Sequence, residues 1–197
     1  MSKALYAVIV GGLLAACGRE PPDPTAPFEV PVFSHAANAA ASANGGNFGT
    51  PLSGAEEVPA RATSARGSAT FQLNAEGDAL TYQLVVANIE NVFQAHIHLG
   101  SFGANGGIVV WLYPSTEPVA GPLGKGRIDG VIAEGTITAA NLVGALLNQP
   151  FSALLEALRS GNAYVNAHTN DGVAPTNTGP GDFPGGEVRG QVEHRGH

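Results

Sequence analysis

Short runs of alternating apolar and polar residues constrain the fold of this chain more than any other feature of its sequence. Residues 78–88, DALTYQLVVAN, alternate in this way, and the turn-like segment AEGD separates them from a similar run at residues 67–74. Because successive side chains of a strand point to opposite faces, each run predicts a strand with one buried face. Further strands are predicted at residues 91–100, 106–114, 126–138, 162–170 and 186–194.

Glycine and proline occupy the segments between these runs. The chain contains 27 glycines and 14 prolines among 197 residues, a composition that favours many turns. Seven or eight short strands joined by turns predict an all-β fold, an antiparallel β-sandwich with Greek-key-like connections, or a barrel. Apolar residues at helical spacing predict one helix at residues 150–161, and a second short helix is expected at residues 138–147 with Thr138 as its N-cap.

Charge and cysteine content exclude several classes of protein. The net charge is −7, and the 9 lysines and arginines are scattered along the chain, so nucleic acid is not an expected partner. The chain has a single cysteine, which rules out an intramolecular disulfide and a cysteine-rich zinc site.

The first residues have the pattern of a targeting segment. Lys3 precedes an apolar run at residues 4–16, which is too short to span a bilayer as a helix but suits a signal peptide. The sequence LAAC that ends at Cys17 resembles the lipobox of bacterial lipoproteins. That resemblance implies cleavage before Cys17 and lipidation of its sulfur. The alternative is a plain secretory signal that leaves Cys17 unmodified.

Together these patterns predict four parts of the chain, at residues 1–16, 17–48, 49–193 and 194–197. The first is the signal peptide, and the second is the lipidated cysteine with a flexible tether rich in Pro, Ala, Asn and Gly. The third is the β-sandwich domain, and the last is a short tail. We therefore expect an extracytoplasmic protein of the bacterial cell envelope, held at a membrane by its lipid and meeting an unknown protein or envelope ligand.

The stretch FQAHIHLG at residues 93–100 contains two histidines that a strand would place on one face. Phe93, Ala95, Ile97 and Leu99 would share the other face, and because they are apolar we expect that face to contact the core. His96 and His98, together with Gln94, are then expected on the outer face. Their Cα atoms would be about 6.6 Å apart, close enough for both imidazoles to reach one ion.

The same alternation applies to the run at residues 162–170. Val165 and Ala167 are expected to face the core, whereas Tyr164, Asn166 and His168 face the other way. Asn166 is therefore a predicted hydrogen-bond partner for an imidazole nitrogen.

If these strands are neighbours, His96, His98 and His168 form a three-nitrogen site for copper or zinc, the metals that imidazole suits. Glu187 is a candidate fourth ligand or orienting residue, and Arg189 is the nearby cation. The alternative is an ordinary polar sheet face, on which Glu187 and Arg189 form a surface ion pair.

Other kinds of site are less well supported by the sequence. Asp171 and Asp182 lie in a long loop at residues 169–186 and offer oxygen ligands for Ca²⁺, but the spacing of an EF-hand is absent. No nucleophile elbow, phosphate-binding loop or dinucleotide-binding motif is present, so enzymatic activity is not predicted.

Three blocks of the sequence resemble the CHRD domain, a module named from chordin. They are LSGAEEVPARATSARGSATFQL (52–73), AHIHLGSFGANGGIVVWL (95–112) and a block at 158–192 that begins LRSGNAYVNAHTNDG and ends PGGEVRGQV. The resemblance covers residues 49–193 and implies a β-sandwich, while leaving the biochemical role undefined.

A local resemblance to Cu/Zn superoxide dismutase rests on the HxH strand that is followed by glycine. It implies that His96 and His98 are copper ligands and that His168 is the later ligand. The sequence has no second histidine cluster for zinc, and Cys17 cannot supply that family's internal disulfide.

Two hypotheses follow. The first is a membrane-tethered, non-enzymatic CHRD module for binding or recognition at the cell envelope. The second is a copper- or zinc-binding protein that uses the three histidines, either to sequester metal or to form a dismutase-like redox site. The two hypotheses are not exclusive.

Overall fold

A computed structural model of the chain describes residues 46–114, 121 and 123–195. All of these residues belong to one compact unit. The predicted signal peptide, Cys17 and most of the tether lie outside the described residues. In the described ranges, no helix has the length and apolar character needed to cross a membrane.

The described residues form nine strands and one α-helix. The strands are β1 (Asn47–Ser53), β2 (Arg66–Leu73), β3 (Leu80–Glu90), β4 (Val92–Leu99), β5 (Ile108–Tyr113), β6 (Arg127–Ile137), β7 (Ala163–Thr169), β8 (Val188–Gln191) and β9 (Glu193–His194). The helix α1 (Phe151–Arg159) lies between β6 and β7.

All strand pairs are antiparallel. The strands follow the order β5-β4-β7-β8-β1-β2-β3-β6, and β9 pairs with β1. β5 and β6, at the two ends of this order, contact each other, so the sheet nearly closes on itself. The prediction of an all-β antiparallel sandwich or barrel is confirmed.

One apolar core fills the space that the sheet encloses. It contains side chains from most strands together with one face of α1, which contributes Phe151, Leu154, Leu155, Ala157 and Leu158. The predicted helix is confirmed. It begins after Pro150, and Gly161, with a φ of 66°, follows its C-terminus, as the αL position at a helix end favours glycine.

The predicted second helix at residues 138–147 is wrong. Two short 3₁₀ turns, Ala139–Asn141 and Gly144–Leu146, occupy this segment. Gly144 has a φ of 58°, which a right-handed helix cannot accommodate, and a Cβ there would collide with the carbonyl oxygen of Ile108. This glycine therefore interrupts the helix that the leucine pattern favours.

Two strand assignments also differ from prediction. β1, which begins inside the predicted tether, was missed because Gly49 and Pro51 hide its alternation; it pairs with β2 over its whole length. The single strand expected at residues 186–194 is two strands, since β8 pairs with β7 and β9 pairs with β1. His194, expected to begin the tail, belongs to β9 and packs edge-on against Phe48.

The strands that carry the candidate ligands are neighbours. β4 and β7 pair so that His96 lies opposite Asn166 and Gln94 lies opposite His168. β8 lies on the other side of β7, with Arg189 opposite Asn166. The side chains that the sequence places on the non-core face therefore form one continuous row across three strands.

Candidate metal centre

Three imidazoles come together on the non-core face of β4 and β7. His96 and His98 come from β4 and His168 from β7, and one nitrogen of each lies within 4.8 Å of the other two. Three nitrogens bound to one metal at about 2.0–2.1 Å would be about 3.3–3.6 Å apart in tetrahedral or trigonal geometry. Ring movements of about 1 Å or less would bring these nitrogens into that arrangement.

The three histidines are buried, which corrects the expectation of an outer, solvated face. His96 is 0%, His98 7% and His168 6% exposed. The alternation itself holds, since Ala95 and Ile97 belong to the apolar core on the opposite side of β4. Burial arises because loops cover the second face of the sheet, a tertiary arrangement that strand periodicity does not reveal.

Phe93 lies on the histidine side, and its predicted place in the core is wrong. The pairing of β4 with β7 shifts between Val92 and Gln94, so Val92 takes the core position instead. The ring of Phe93 packs edge-on against His168 with 6.3 Å between ring centroids. It thereby adds an apolar wall to the histidine cluster.

Two loop carbonyls fix the orientation of two of the rings. Nδ1 of His98 lies 2.9 Å from the carbonyl oxygen of Gly106, and Nδ1 of His168 lies 2.8 Å from that of Pro184. A carbonyl oxygen only accepts, so each Nδ1 carries a proton and donates. In the neutral ring Nε2 then has a free lone pair, which is the usual arrangement of a metal-binding histidine.

Ring nitrogens converge at the centre of the cluster. Nε2 of His168 lies 3.3 Å from Nδ1 of His96 and 2.9 Å from Oδ1 of Asn166. The Nε2 atoms of His96 and His98 are buried and have no hydrogen-bond partner within the described chain. Buried polar atoms nearly always have partners, and a cation between these groups would satisfy them together.

Burial also keeps the rings neutral. Together with the neighbouring histidines it lowers the pKa of His96 to about 2 and, against the opposing effect of the Pro184 carbonyl, that of His168 to about 4. The pKa of His98 is likewise lowered, mainly by burial. At neutral pH all three rings therefore offer lone pairs without first having to lose a proton.

Glu187 does not join the histidines, although the sequence made it a candidate ligand. Its carboxylate accepts hydrogen bonds from the hydroxyls of Thr63 and Thr169, each at 2.6 Å, and from the backbone N–H of Gly181 at 2.9 Å. Its hydrogen bonds therefore link three separate segments of the chain beside the histidine cluster.

Arg189 is buried too, and the predicted surface pair with Glu187 is wrong. No ion pair joins the two residues in the described chain. The guanidinium of Arg189 lies 3.5 Å from the ring centroid of Tyr164, which in turn stacks on His98 at 4.8 Å. It also donates to the carbonyl oxygen of Ala104 and to Asn105. Arg189 thus braces the loop whose Gly106 carbonyl orients His98.

The alternation of β7 placed Tyr164 on the histidine side, where its ring stacks on His98. Two other side chains of the site were not predicted. Trp111 lies opposite His96 on β5, with 4.3 Å between ring centroids, and the alternation of that strand could have placed it with the histidines. Glu57 is buried beside Asn166, but it lies in a loop, so no periodic signal could have identified it.

The predicted calcium ligands do not form a cluster. Oδ2 of Asp182 accepts hydrogen bonds from the backbone N–H and hydroxyl of Thr178, and Asp171 accepts one from the backbone N–H of Val173. Across the described ranges, the histidine cluster is the one group of three or more potential metal ligands.

Nearly the whole of the described domain matches a known protein family. The family model described as the CHRD domain matches residues 48–192. The chain belongs to the CHRD family. This membership supports a binding module rather than an enzyme, and it agrees with the resemblance found in the sequence. A comparison with curated proteins finds no match. Within the CHRD domain, all three histidines lie in matched residues.

Proposed function

We propose that this CHRD domain is a copper-binding module in which His96, His98 and His168 are the ligands. The observation that carries the proposal is the convergence of three buried imidazole nitrogens within 4.8 Å of one another. Burying three polar rings together is unfavourable unless they gain partners, and a metal ion supplies one partner to all three.

Copper fits this set of ligands better than the other common metals. The cluster contains imidazoles alone, with neither a thiolate nor a carboxylate among its members. Imidazole suits both copper and zinc, whereas calcium and magnesium require oxygen ligands. For a given set of nitrogen ligands, divalent copper binds more tightly than zinc. Zinc is therefore the metal against which the binding of copper to this site has to be compared.

Retention of the ion is the role that the burial of the ligands supports. Each imidazole is less than a tenth exposed, and Phe93 and Trp111 lie against two of the rings. A substrate would reach a bound ion only if the covering loops moved. The proposed activity is therefore binding of copper rather than rapid turnover of a second molecule.

The proposed location is the extracytoplasmic side of a bacterial membrane. The LAAC motif ending at Cys17 supports lipidation, and the segment up to residue 48 has the composition of a flexible tether. Lipid chains on Cys17 would hold the CHRD domain at the membrane, where it would meet copper that enters the envelope.

Metal analysis of the full chain tests the proposal. The protein is purified without a histidine tag, stripped with a chelator, loaded with copper and desalted. We expect about one copper per chain, and loss of that copper in the variant His96→Ala/His98→Ala/His168→Ala. His194→Ala is the matched control, because His194 is exposed and lies outside the cluster. Equal copper in the triple variant and the wild type would refute the proposal.

A further inference from the structure

Glu57 is a buried acidic residue at the edge of the histidine cluster. It follows the 3₁₀ turn Gly54–Glu56, and its side chain is 5% exposed. Its Oε1 atom is buried without a hydrogen-bond partner among the described residues. A carboxylate in such a place is unfavourable unless a positive charge compensates it. The neighbouring Glu56 is exposed.

Gly186 allows Glu57 to approach Asn166. A Cβ at residue 186 would collide with Oε1 of Glu57 and would lie 2.9 Å from Nδ2 of Asn166. The two side chains thus meet at Gly186, where the backbone carries no side chain that would keep them apart. Burial raises the pKa of Glu57, and the side chain of Asn166 opposes this shift, as expected for an amide that donates to a carboxylate.

Asn166 connects this carboxylate to the histidines. Its Oδ1 lies 2.9 Å from Nε2 of His168, so the amide has its oxygen at the cluster and its nitrogen towards Glu57. An amide in this orientation places its negative end where a cation would lie. A carboxylate behind the nitrogen favours that orientation, because it attracts the amide N–H groups.

We propose that Glu57 is a positioning and counter-charge residue for the copper ion, acting through Asn166. The inference rests on the proposed function. Three neutral imidazoles leave the whole charge of the ion uncompensated, and burial makes an uncompensated charge costly. The positive charges of Arg189 and Arg61 favour the ionised form of Glu57. Glu187 is not assigned this role, because its carboxylate already accepts hydrogen bonds from two threonine hydroxyls and a backbone N–H.

The proposal predicts a preference between copper oxidation states. Cu(II) carries one more positive charge than Cu(I), so a nearby carboxylate stabilises Cu(II) more. Replacing Glu57 with glutamine keeps the shape of the side chain and removes its charge. Cu(II) affinity should then fall by about tenfold or more, in the range typical for groups that orient metal ligands. Cu(I) affinity should change less.

The experiment measures both affinities for the full-length wild type, Glu57→Gln and the matched control Glu56→Gln. Competition with chromophoric chelators gives Cu(II) and Cu(I) dissociation constants under the same conditions. Each tenfold loss of Cu(II) affinity relative to Cu(I) raises the reduction potential of the bound ion by about 59 mV. The control should match the wild type, and Glu57→Asp, which restores the charge, should recover part of the difference.

An unchanged ratio of Cu(II) to Cu(I) affinity in Glu57→Gln would overturn this inference, even if both affinities fell together. A uniform loss would indicate a general structural effect, which charge compensation does not predict. The proposed function fails separately, when the wild type itself binds no copper or the triple histidine variant binds as much. Wild-type binding with an unchanged ratio in Glu57→Gln therefore removes only the role of Glu57.

Discussion

Nε2 of His168 lies 3.3 Å from Nδ1 of His96, although 72 positions of the chain separate the two residues. The antiparallel pairing of β4 with β7 brings them together, and loop carbonyls fix the rings of His98 and His168. The CHRD sheet thus assembles buried imidazole nitrogens on its non-core face, where a cation would give them a common partner.

The fluorescence of Trp111 should change when copper binds. It is the one tryptophan of the chain, and its ring lies edge-on to His96 with 4.3 Å between centroids. A paramagnetic Cu(II) ion bound to His96 should quench its fluorescence, whereas Zn²⁺ should change it far less. A titration of metal-free protein should therefore show quenching that saturates at about one Cu(II) per chain. Equal quenching in His96→Ala/His98→Ala/His168→Ala would mean that the copper that quenches the fluorescence binds outside the histidine cluster.

Glu57 should make the stability of the metal-free protein depend on pH. Burial raises its pKa from 4.5 to about 7, against the opposing influence of Arg189, the Val58 backbone, Asn166 and Arg61. A raised carboxyl pKa means that the protonated form is favoured in the folded state. Stability from this group is therefore complete below pH 4.5 and is lost as the pH rises to about 7.

Glu57→Gln should consequently gain stability over the wild type as the pH rises. The gain between pH 4 and pH 8 should be about 3 kcal/mol, since each unit of pKa difference corresponds to about 1.36 kcal/mol. Urea unfolding of both proteins, with a chelator present, measures the difference. Glu56→Gln should show no such trend. A difference that is constant with pH would mean that the pKa of Glu57 is the same in the folded and the unfolded protein.

Gly186→Ala should disturb both the fold and the site. Gly186 has a φ of 123°, which alanine rarely adopts, and the new methyl group would meet Glu57 and Asn166. Gly77→Ala is the control, because Gly77 also has a positive φ but its Cβ would enter open space. The control should lose about 1–2 kcal/mol from backbone strain alone. Gly186→Ala should lose more stability than the control and should also bind copper more weakly. Equal losses of stability in the two variants would show that the contact of residue 186 with Glu57 and Asn166 is unimportant.

Arg189→Lys should destabilise the CHRD domain by about 2 kcal/mol, although it keeps the charge. Lysine lacks the planar group that stacks on Tyr164 and cannot make the same set of hydrogen bonds to the 101–105 loop. Arg127→Lys is the matched control, since Arg127 makes an exposed pair with Asp129 that should contribute little to stability. Chemical denaturation compares the two, and similar small losses would contradict the bracing role of Arg189.

Periodicity in the sequence was enough to predict which side chains share a face, but not what covers that face. The alternation around His96 and His168 placed both opposite the core, and Ala95 and Ala167 lie in the core as expected. Their burial could not be predicted, because it depends on loops distant in sequence. Phe93 was misplaced because an irregularity in pairing shifts the alternation by one residue.

Contacts between distant segments were the hardest to predict. The sequence made Glu187 a candidate ligand and Arg189 a nearby cation, or else a surface ion pair, yet Glu187 accepts hydrogen bonds from threonine hydroxyls and Arg189 stacks on Tyr164. Glu57 had no pattern to reveal it, since its importance depends on the close approach that Gly186 permits. Long-range contacts of this kind follow from the assembled fold rather than from local sequence.

X-ray absorption spectroscopy of the copper-loaded, untagged full chain tests the central claim most directly. We predict three nitrogen ligands at about 2 Å, with the outer scattering of imidazole rings, and loss of this signal in His96→Ala/His98→Ala/His168→Ala. A first shell dominated by oxygen or sulfur, or a spectrum that is the same in the triple variant, would contradict the three-histidine copper site.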